Sequence, residues 1–317
     1  MFTLIKRLQE LLAKLRKNKG LWFTTLTTIS IMGIITCMYV ITTMTSSVSK
    51  EVYQSMSKNY ETLLNIRIEN KHKEFQKLMV SLNQNGTLMA GIENNNAVMF
   101  ESVRNFLNEE FLKLGFTDLK LNIYNVTNSD KVFRNTINTV INSKKPLFGT
   151  EVLEDGVFFS YLLPLIKNNQ VYGVLEFRES IHRLRDDFVK QGSEFVFILD
   201  KKMLPFIGLE YKNNKYEEVN EQFTLEKDRY DTIFAATMKN INSEDFQNLE
   251  MKKYIIDDDY FRMLKKITDI NGADIGYIIV GESNVSSGGF VNIANDMTNT
   301  VTTVALGLVI SIILFLF

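Results

Sequence analysis

The chain has 317 residues, and its 36 lysines and arginines against 37 aspartates and glutamates leave a formal net charge of −1. That balance argues against nucleic acid as a partner. A single cysteine, Cys37, excludes an internal disulfide framework.

The N-terminal segment carries Lys6, Arg7, Lys14, Arg16, Lys17 and Lys19 against Glu10. Phe2, Ile5, Leu8, Leu11, Leu12 and Leu15 recur there at helical spacing, so residues 1–20 read as a basic amphipathic helix on the inner membrane surface or as an unstructured anchor arm. Leu21–Thr43 follows without a charged residue, and Thr298–Phe317 is likewise uncharged. Both reach the roughly 20 apolar residues that a bilayer-spanning helix needs. The first is longer than a signal-peptide core and lacks a small-residue cleavage site, which favours an uncleaved anchor. Basic residues beside a span stay on the cytoplasmic side. The expected arrangement is a bacterial inner-membrane protein with two spans, a cytoplasmic N-terminus and residues 44–297 outside.

Val48, Val52, Met56, Tyr60, Leu64, Ile68 and His72 lie four apart, and Phe75, Met79 and Leu82 continue the stripe, predicting a long stalk helix over Met44–Leu82. His72 reads as a pH-sensitive interface group or a packed side chain. A second helix is expected over Asn95–Leu114, with Val98, Val103, Phe106, Leu107, Phe111 and Leu114 as its apolar face and Gly115 as its C-terminal cap. A strand at Leu119–Tyr124, a short helix at Val132–Ile141 and strands at Pro146–Leu153, Val157–Ile166 and Gln170–Phe177 follow, the last three joined by turns at 154–156 and 167–169. After a connector helix, Ser180–Lys190, the same pattern returns: a strand at Glu194–Leu199, a helix at Tyr230–Lys239 and strands at Lys252–Ile256, Tyr260–Thr268 and Asp274–Gly281. Residues 200–229 carry no assignment. Each half is strand, helix and a three-stranded antiparallel meander, so the fold class is α+β. A long N-terminal stalk helix carries two tandem PAS-like modules, flanked by two transmembrane helices. The expected divisions are 1–20, 21–43, 44–190, 191–289 and 290–317.

The block 133–177 carries Phe133-Arg134, Asn142-x-Lys144-Lys145-Pro146, Gly149-x-Glu151, Gly156, Leu163-Pro164-Leu165 and Gly173-Val174-Leu175-Glu176. It resembles the membrane-distal module of double Cache sensor domains, most closely the subgroup common in chemoreceptors and diguanylate cyclases, and the likeness extends over residues 44–297. The resemblance implies a small-molecule site between the meander and the preceding helix and loop. The candidates are Tyr124, Phe133, Arg134, Phe148, Glu151, Phe159, Tyr161 and Glu176. Arg134 offers a rigid fork suited to a carboxylate, or pairs with Glu151. The carboxylates suit an ammonium group, and the aromatics wall a pocket or are plain core. The ligand would be an amino acid, an amine or a small organic acid, and the protein would act as a homodimer.

The stretch between Tyr124 and Arg134 is shorter than the family pattern, which implies a reduced lid. The family continues past its second span into a HAMP linker and a signalling module, so the sequence reads as a fragment of a chemoreceptor, with a diguanylate cyclase or histidine kinase as the alternative output. A membrane-anchored interaction protein without a ligand is the rival reading. Tyr260, Arg262 and Tyr277 mark a second candidate pocket. Asp257-Asp258-Asp259 lacks the alternating ligand spacing of a calcium loop and reads as a turn. No nucleophile, phosphate-loop or metalloprotease motif occurs, so no enzyme activity, cofactor or metal is expected.

Overall fold

A single helix, α1, runs from Lys19 to Asn83 in the computed structural model, which describes residues 19–83, 86–94, 96–126, 132–239, 241, 246, 252–257, 259–283, 296, 299–307 and 310–311. Two compact units are present: Met1–Met56 with Gly288–Phe317, and Ser57–Ser287. Within the second unit, α1 buries Leu64, Phe75, Met79 and Leu82, the predicted stripe, while Ile66 and Val80 are exposed. Among the described residues no helix is long and apolar enough to cross a membrane. Residues 1–18 of the expected basic segment, and 298, 308–309 and 312–317 of the expected second span, lie outside the described residues.

Two short helices follow, α2 (Gly86–Glu93) and α3 (Ala97–Lys113). The Asn96 side chain caps α3 by accepting from Met99 N. At its other end Gly115, at φ 84°, turns the chain as expected, with Phe116 N donating to Phe111 O at 2.9 Å. The predicted apolar face of α3 is only half used. Val98, Phe106 and Leu114 are 78%, 61% and 70% exposed, because Val103, Leu107 and Phe111 alone lie on the half-buried side.

The distal module consists of β1 (Leu119–Asn125), α4 (Asn135–Ser143), β2 (Leu147–Leu153), β3 (Gly156–Lys167) and β4 (Gln170–Ser180). The strands form one antiparallel sheet in the order β1-β4-β3-β2. The β3–β4 hairpin closes on Asn168 and Asn169, both left-handed (φ 50° and 61°), which matches the twist of the flanking strands.

After α5 (Arg183–Val189) comes β5 (Glu194–Asp200), a 3-10 helix (Lys201–Phe206), α6 (Leu209–Lys215), β6 (Tyr216–Glu218), β7 (Phe223–Glu226), α7 (Thr232–Met238), β8 (Tyr254–Ile256), β9 (Tyr260–Thr268) and β10 (Asp274–Ser283). This second sheet has the order β6-β7-β5-β10-β9-β8. Its β5-β10-β9-β8 portion repeats the β1-β4-β3-β2 order of the distal module, as the internal repeat predicts. The β6–β7 pair and the two helices before it fill the stretch left unassigned. Gly276 takes φ 152° at a register shift in β10, and a Cβ there would sit 2.0 Å from Ile198 O, so only glycine fits.

The two modules meet at the β9–β10 turn. Asp269 bridges Thr150 in parallel, and Ile270 N donates to Thr150 O at 2.8 Å. Ile270 covers Gly149, where a Cβ would stand 2.8 Å from Ile270 Cγ1, and it packs against the distal core of Ile137, Val140, Leu162 and Val174. A second tie runs from Gly208 N to Glu154 O at 2.9 Å.

Candidate functional site

Side chains directly opposite one another in an antiparallel pair share a face, and neighbours along a strand alternate. Pairing of Phe148 with Tyr161, Thr150 with Phe159 and Tyr161 with Phe177 therefore puts Phe148, Phe159 and Tyr161 on one face of the distal sheet. Pairing of Glu151 with Phe158, Leu162 with Glu176 and Asn122 with Glu176 puts Glu151, Glu176 and Tyr124 on the other.

The first face is packed against helices. His72 stacks on Phe148 at 4.4 Å and 2°, Phe75 stacks on Phe177 at 6.0 Å, and Phe111 meets Phe177 edge-on at 5.8 Å. Phe148, Phe159 and Tyr161, expected to wall the ligand pocket, instead form the seam between the sheet and α1, and His72 is a packed side chain of that seam. Tyr161 also borders a separate groove of about 550 Å³ shared with Lys73, Gln76, Lys77 and Val80.

The second face brings together the other five candidates. Arg134 is the N-cap residue of α4, which is how it reaches over the sheet. Its Nε donates to Thr136 Oγ1 (2.9 Å) and Glu151 Oε1 (3.2 Å), Nη1 to Tyr124 OH (2.9 Å), and Nη2 to Glu151 Oε2 (3.1 Å) and Glu176 Oε1. Tyr124 OH and Asn122 Nδ2 complete Glu176 at 2.7 and 2.9 Å. Phe133 meets the Tyr124 ring edge-on at 6.3 Å, and the guanidinium lies 5.6 Å from the Tyr124 centroid. Glu151 is 5% and Glu176 0% exposed. Glu176 is thus the more buried of the two carboxylates. Burial alone disfavours the charged form of Arg134, but Glu176 and Glu151 outweigh it and hold the guanidinium more firmly protonated than usual. Burial and then the Glu176 charge push the Tyr124 hydroxyl up.

A guanidinium so engaged has no bidentate edge left for a ligand carboxylate. Its exposed flank faces a cleft of about 780 Å³, which also presents Asn135, Thr136, Glu151, Arg178 and the β2–β3 turn at Glu154-Asp155. The far wall comes from the proximal module: Met203 and Phe206 of the 3-10 helix, and Asp269 and Asn271 of the β9–β10 turn. Arg178 is itself held by Asp155 through two hydrogen bonds of 3.2 and 3.0 Å. Asn122, Thr136, Arg178 and the proximal wall were missed from the sequence. Asn122 had a signal, standing two residues before Tyr124 on one strand and hence on its face; the proximal wall had none, since it depends on how two modules dock.

The second candidate pocket is not assembled. Arg262 lies between Tyr260 and Phe234, with ring centroids 5.2 and 5.9 Å away, whereas Tyr277 packs against Phe223 and Phe246. Asp257 is a turn residue: its Oδ1 accepts from Asp259 N and Tyr260 N, and its other oxygen takes Arg262 Nη1. A buried polar cluster that no sequence pattern announced joins the modules, with His182 Nε2 2.6 Å from Glu226 Oε2, His182 Nδ1 2.6 Å from Tyr230 OH, and Tyr211 OH and Arg229 Nε on Glu226 Oε1. Among the described residues no group of three or more His, Cys, Asp and Glu side chains is placed to hold a metal ion.

No protein-family model matches the chain, and neither does any curated protein. Solved structures similar to it are sensor domains, the class named by the sequence resemblance. The extracellular domain of a protein assigned as a histidine kinase, vpHK1S-Z8, is 10% identical over 75% of this chain and 94% of its own, with a TM-score of 0.46. A domain of a sensory box/GGDEF family protein from Vibrio parahaemolyticus is 10% identical over 74% and 98%, with a TM-score of 0.45. The ligand-binding domain of the Campylobacter jejuni chemoreceptor Tlp3, solved with L-norvaline, is 12% identical over 76% and 96%, with a TM-score of 0.41. TM-scores below 0.5 carry nothing about ligand or output.

Proposed function

We propose that this chain is the sensory part of a bacterial inner-membrane receptor. Its double Cache-type domain lies outside the membrane, binds a small molecule in the cleft beside Arg134 and passes the signal inward. The observation that carries the reading is the cleft itself: about 780 Å³, bounded by a saturated polar network on one module and by the 3-10 helix and hairpin turn of the next. A filled distal face with no cavity, which the ligand-free interaction reading requires, is not what the geometry favours. Leu21–Thr43 and Thr298–Phe317 serve as the two spans, supported by their length and lack of charge, and the basic N-terminus stays cytoplasmic. The receptor works as a homodimer and performs no catalysis itself; a chemoreceptor is the preferred output, a diguanylate cyclase or histidine kinase the alternative.

The ligand is an amino acid, an amine or a small organic acid. Because Arg134 is spent on Glu151 and Glu176, the ligand is held by the cleft's amides, hydroxyls and carboxylates, and groups with hydrogen-bond donors fit best. The test is thermal unfolding of the full chain in detergent against a panel of these three classes. A ligand that binds only the folded state at a hundred times its Kd adds about 2.7 kcal/mol. At least one panel member should raise the Tm, and Phe206→Ala and Asn271→Ala, which alter the wall without touching the Arg134 network, should reduce that rise. No shift with any member, or a shift indifferent to both substitutions, overturns the proposal.

A further inference from the structure

Glu194 on β5, Gly281 on β10 and Arg262 on β9 stand in one row across three neighbouring strands, since Gly281 pairs with Glu194 on one side and with Arg262 on the other. Direct partners share a face, so the two charged side chains flank a position that has none. Two strand spacings separate their backbones by about 10 Å, a gap that an extended arginine and glutamate can close above a glycine. They do not close it. A Cβ on Gly281 would stand 2.5 Å from Phe234 Cε2 and Cζ, so the ring of Phe234, from α7, occupies the notch.

Both charges show the consequence. Arg262 is 1% exposed and spends Nη1 on Asp257, yet Nε and Nη2, the edge that makes bidentate contacts, are buried without a hydrogen-bond partner. Glu194 has no hydrogen bond or ion pair among the described residues; burial, and then the charge of Asp231, raise its pKa. Among the described residues, the other charged or titratable groups near the notch include Asp231 at the start of α7, Asp257 and Asp259 before β9, and Tyr260 on β9. A buried guanidinium edge without a partner keeps its desolvation cost, and pairing with the half-buried Glu194 carboxylate on the same sheet face would offset part of it.

We propose that Phe234 is a wedge that holds Arg262 and Glu194 apart, and that withdrawal of its ring from the Gly281 notch lets them pair, giving the proximal module a second packing state. The next residue, Glu282, accepts a hydrogen bond from Tyr60 OH of α1 at 3.0 Å. The notch therefore sits where β10 is tied to the long helix, and a change of state there reaches α1 directly. The device stands on the proximal module alone and does not require a ligand in the distal cleft.

The test is a double-mutant cycle on the full chain with Glu194→Gln and Arg262→Met, run in the natural sequence and again with Phe234→Leu; Phe234→Met serves if the leucine variant folds poorly. With Phe234 in place the coupling should stay below about twofold in the folding equilibrium constant; without its ring it should rise to about tenfold. Carbon NMR of the Glu194 carboxyl is the second readout: it should titrate above the ordinary glutamate range in the natural protein and fall to or below that range in the Phe234 variants. Equal coupling in both backgrounds, or an unchanged Glu194 titration, overturns the proposal.

Discussion

Replacing Arg134 by methionine removes the only cation that touches Glu151 and Glu176 among the described residues, and both carboxylates are at least 95% buried, at 5% and 0% exposure. Breaking a buried ion pair from one side costs about 3–5 kcal/mol, because the stranded charge keeps its desolvation penalty. For a unit of this size each kcal/mol lowers the Tm by about 2–4 °C, so the variant should melt roughly 6–20 °C below the parent. Adding Glu151→Gln and Glu176→Gln removes the stranded charges and should recover most of the loss at neutral pH. Circular dichroism melts of the three proteins at neutral pH decide the matter. A single variant that melts within about 1 kcal/mol of the parent, or a triple variant that recovers none of the loss, would refute the account of the network as a buried three-member ion cluster.

The contacts between modules can be tested in two ways. Gly149→Val drives a side chain into Ile270, and overpacking of this kind costs about 1–3 kcal/mol; amide exchange should quicken both in β2 and in the β9–β10 turn, and a change confined to β2 would contradict the docking. Burial by itself would raise the Glu226 pKa, but His182, Arg229 and Tyr211 outweigh it and hold it down at about 2. A depressed carboxylate contributes stability above its unfolded pKa, here on the order of 3 kcal/mol, and loses it as pH falls toward about 2. The stability gap between the natural protein and Glu226→Gln should therefore close across that window, and a gap independent of pH would count against the assignment.

The repeat of strand, helix and meander was legible because its strands run 7 residues and longer over most of their number and carry strong apolar or alternating patterns, with turn residues such as Asn168-Asn169 and Asn271-Gly272 between them. What escaped was the 200–229 stretch. Its strands, Tyr216–Glu218 and Phe223–Glu226, have 3 and 4 residues, too few for a period of two to register, and they exist because β5 offers an edge for β7 to pair with. The face of α3 was overread for a related reason. Periodicity counts every apolar residue at helical spacing, but the sheet beneath covers only part of that arc, which leaves Phe106 and Leu114 in the open.

The candidate site was half legible, and parity explains which half. Phe148 and Glu151 are three apart on one strand, so a period of two alone puts them on opposite faces. Phe159 and Tyr161 lie an even number of residues apart and so share a face, and the β2–β3 turn fixes that face as that of Phe148. A single pocket could never have held all eight candidates. Once α1 covers the aromatic face, the polar face is the only one that can hold Arg134, and a buried arginine there must find acceptors on Glu151 and Glu176. Under the proposed function, that same saturation would move recognition away from the guanidinium and toward the wall that the neighbouring module supplies. A ligand in the cleft would then touch both modules at once, and its binding energy would act on the Gly149–Ile270 contact that joins them.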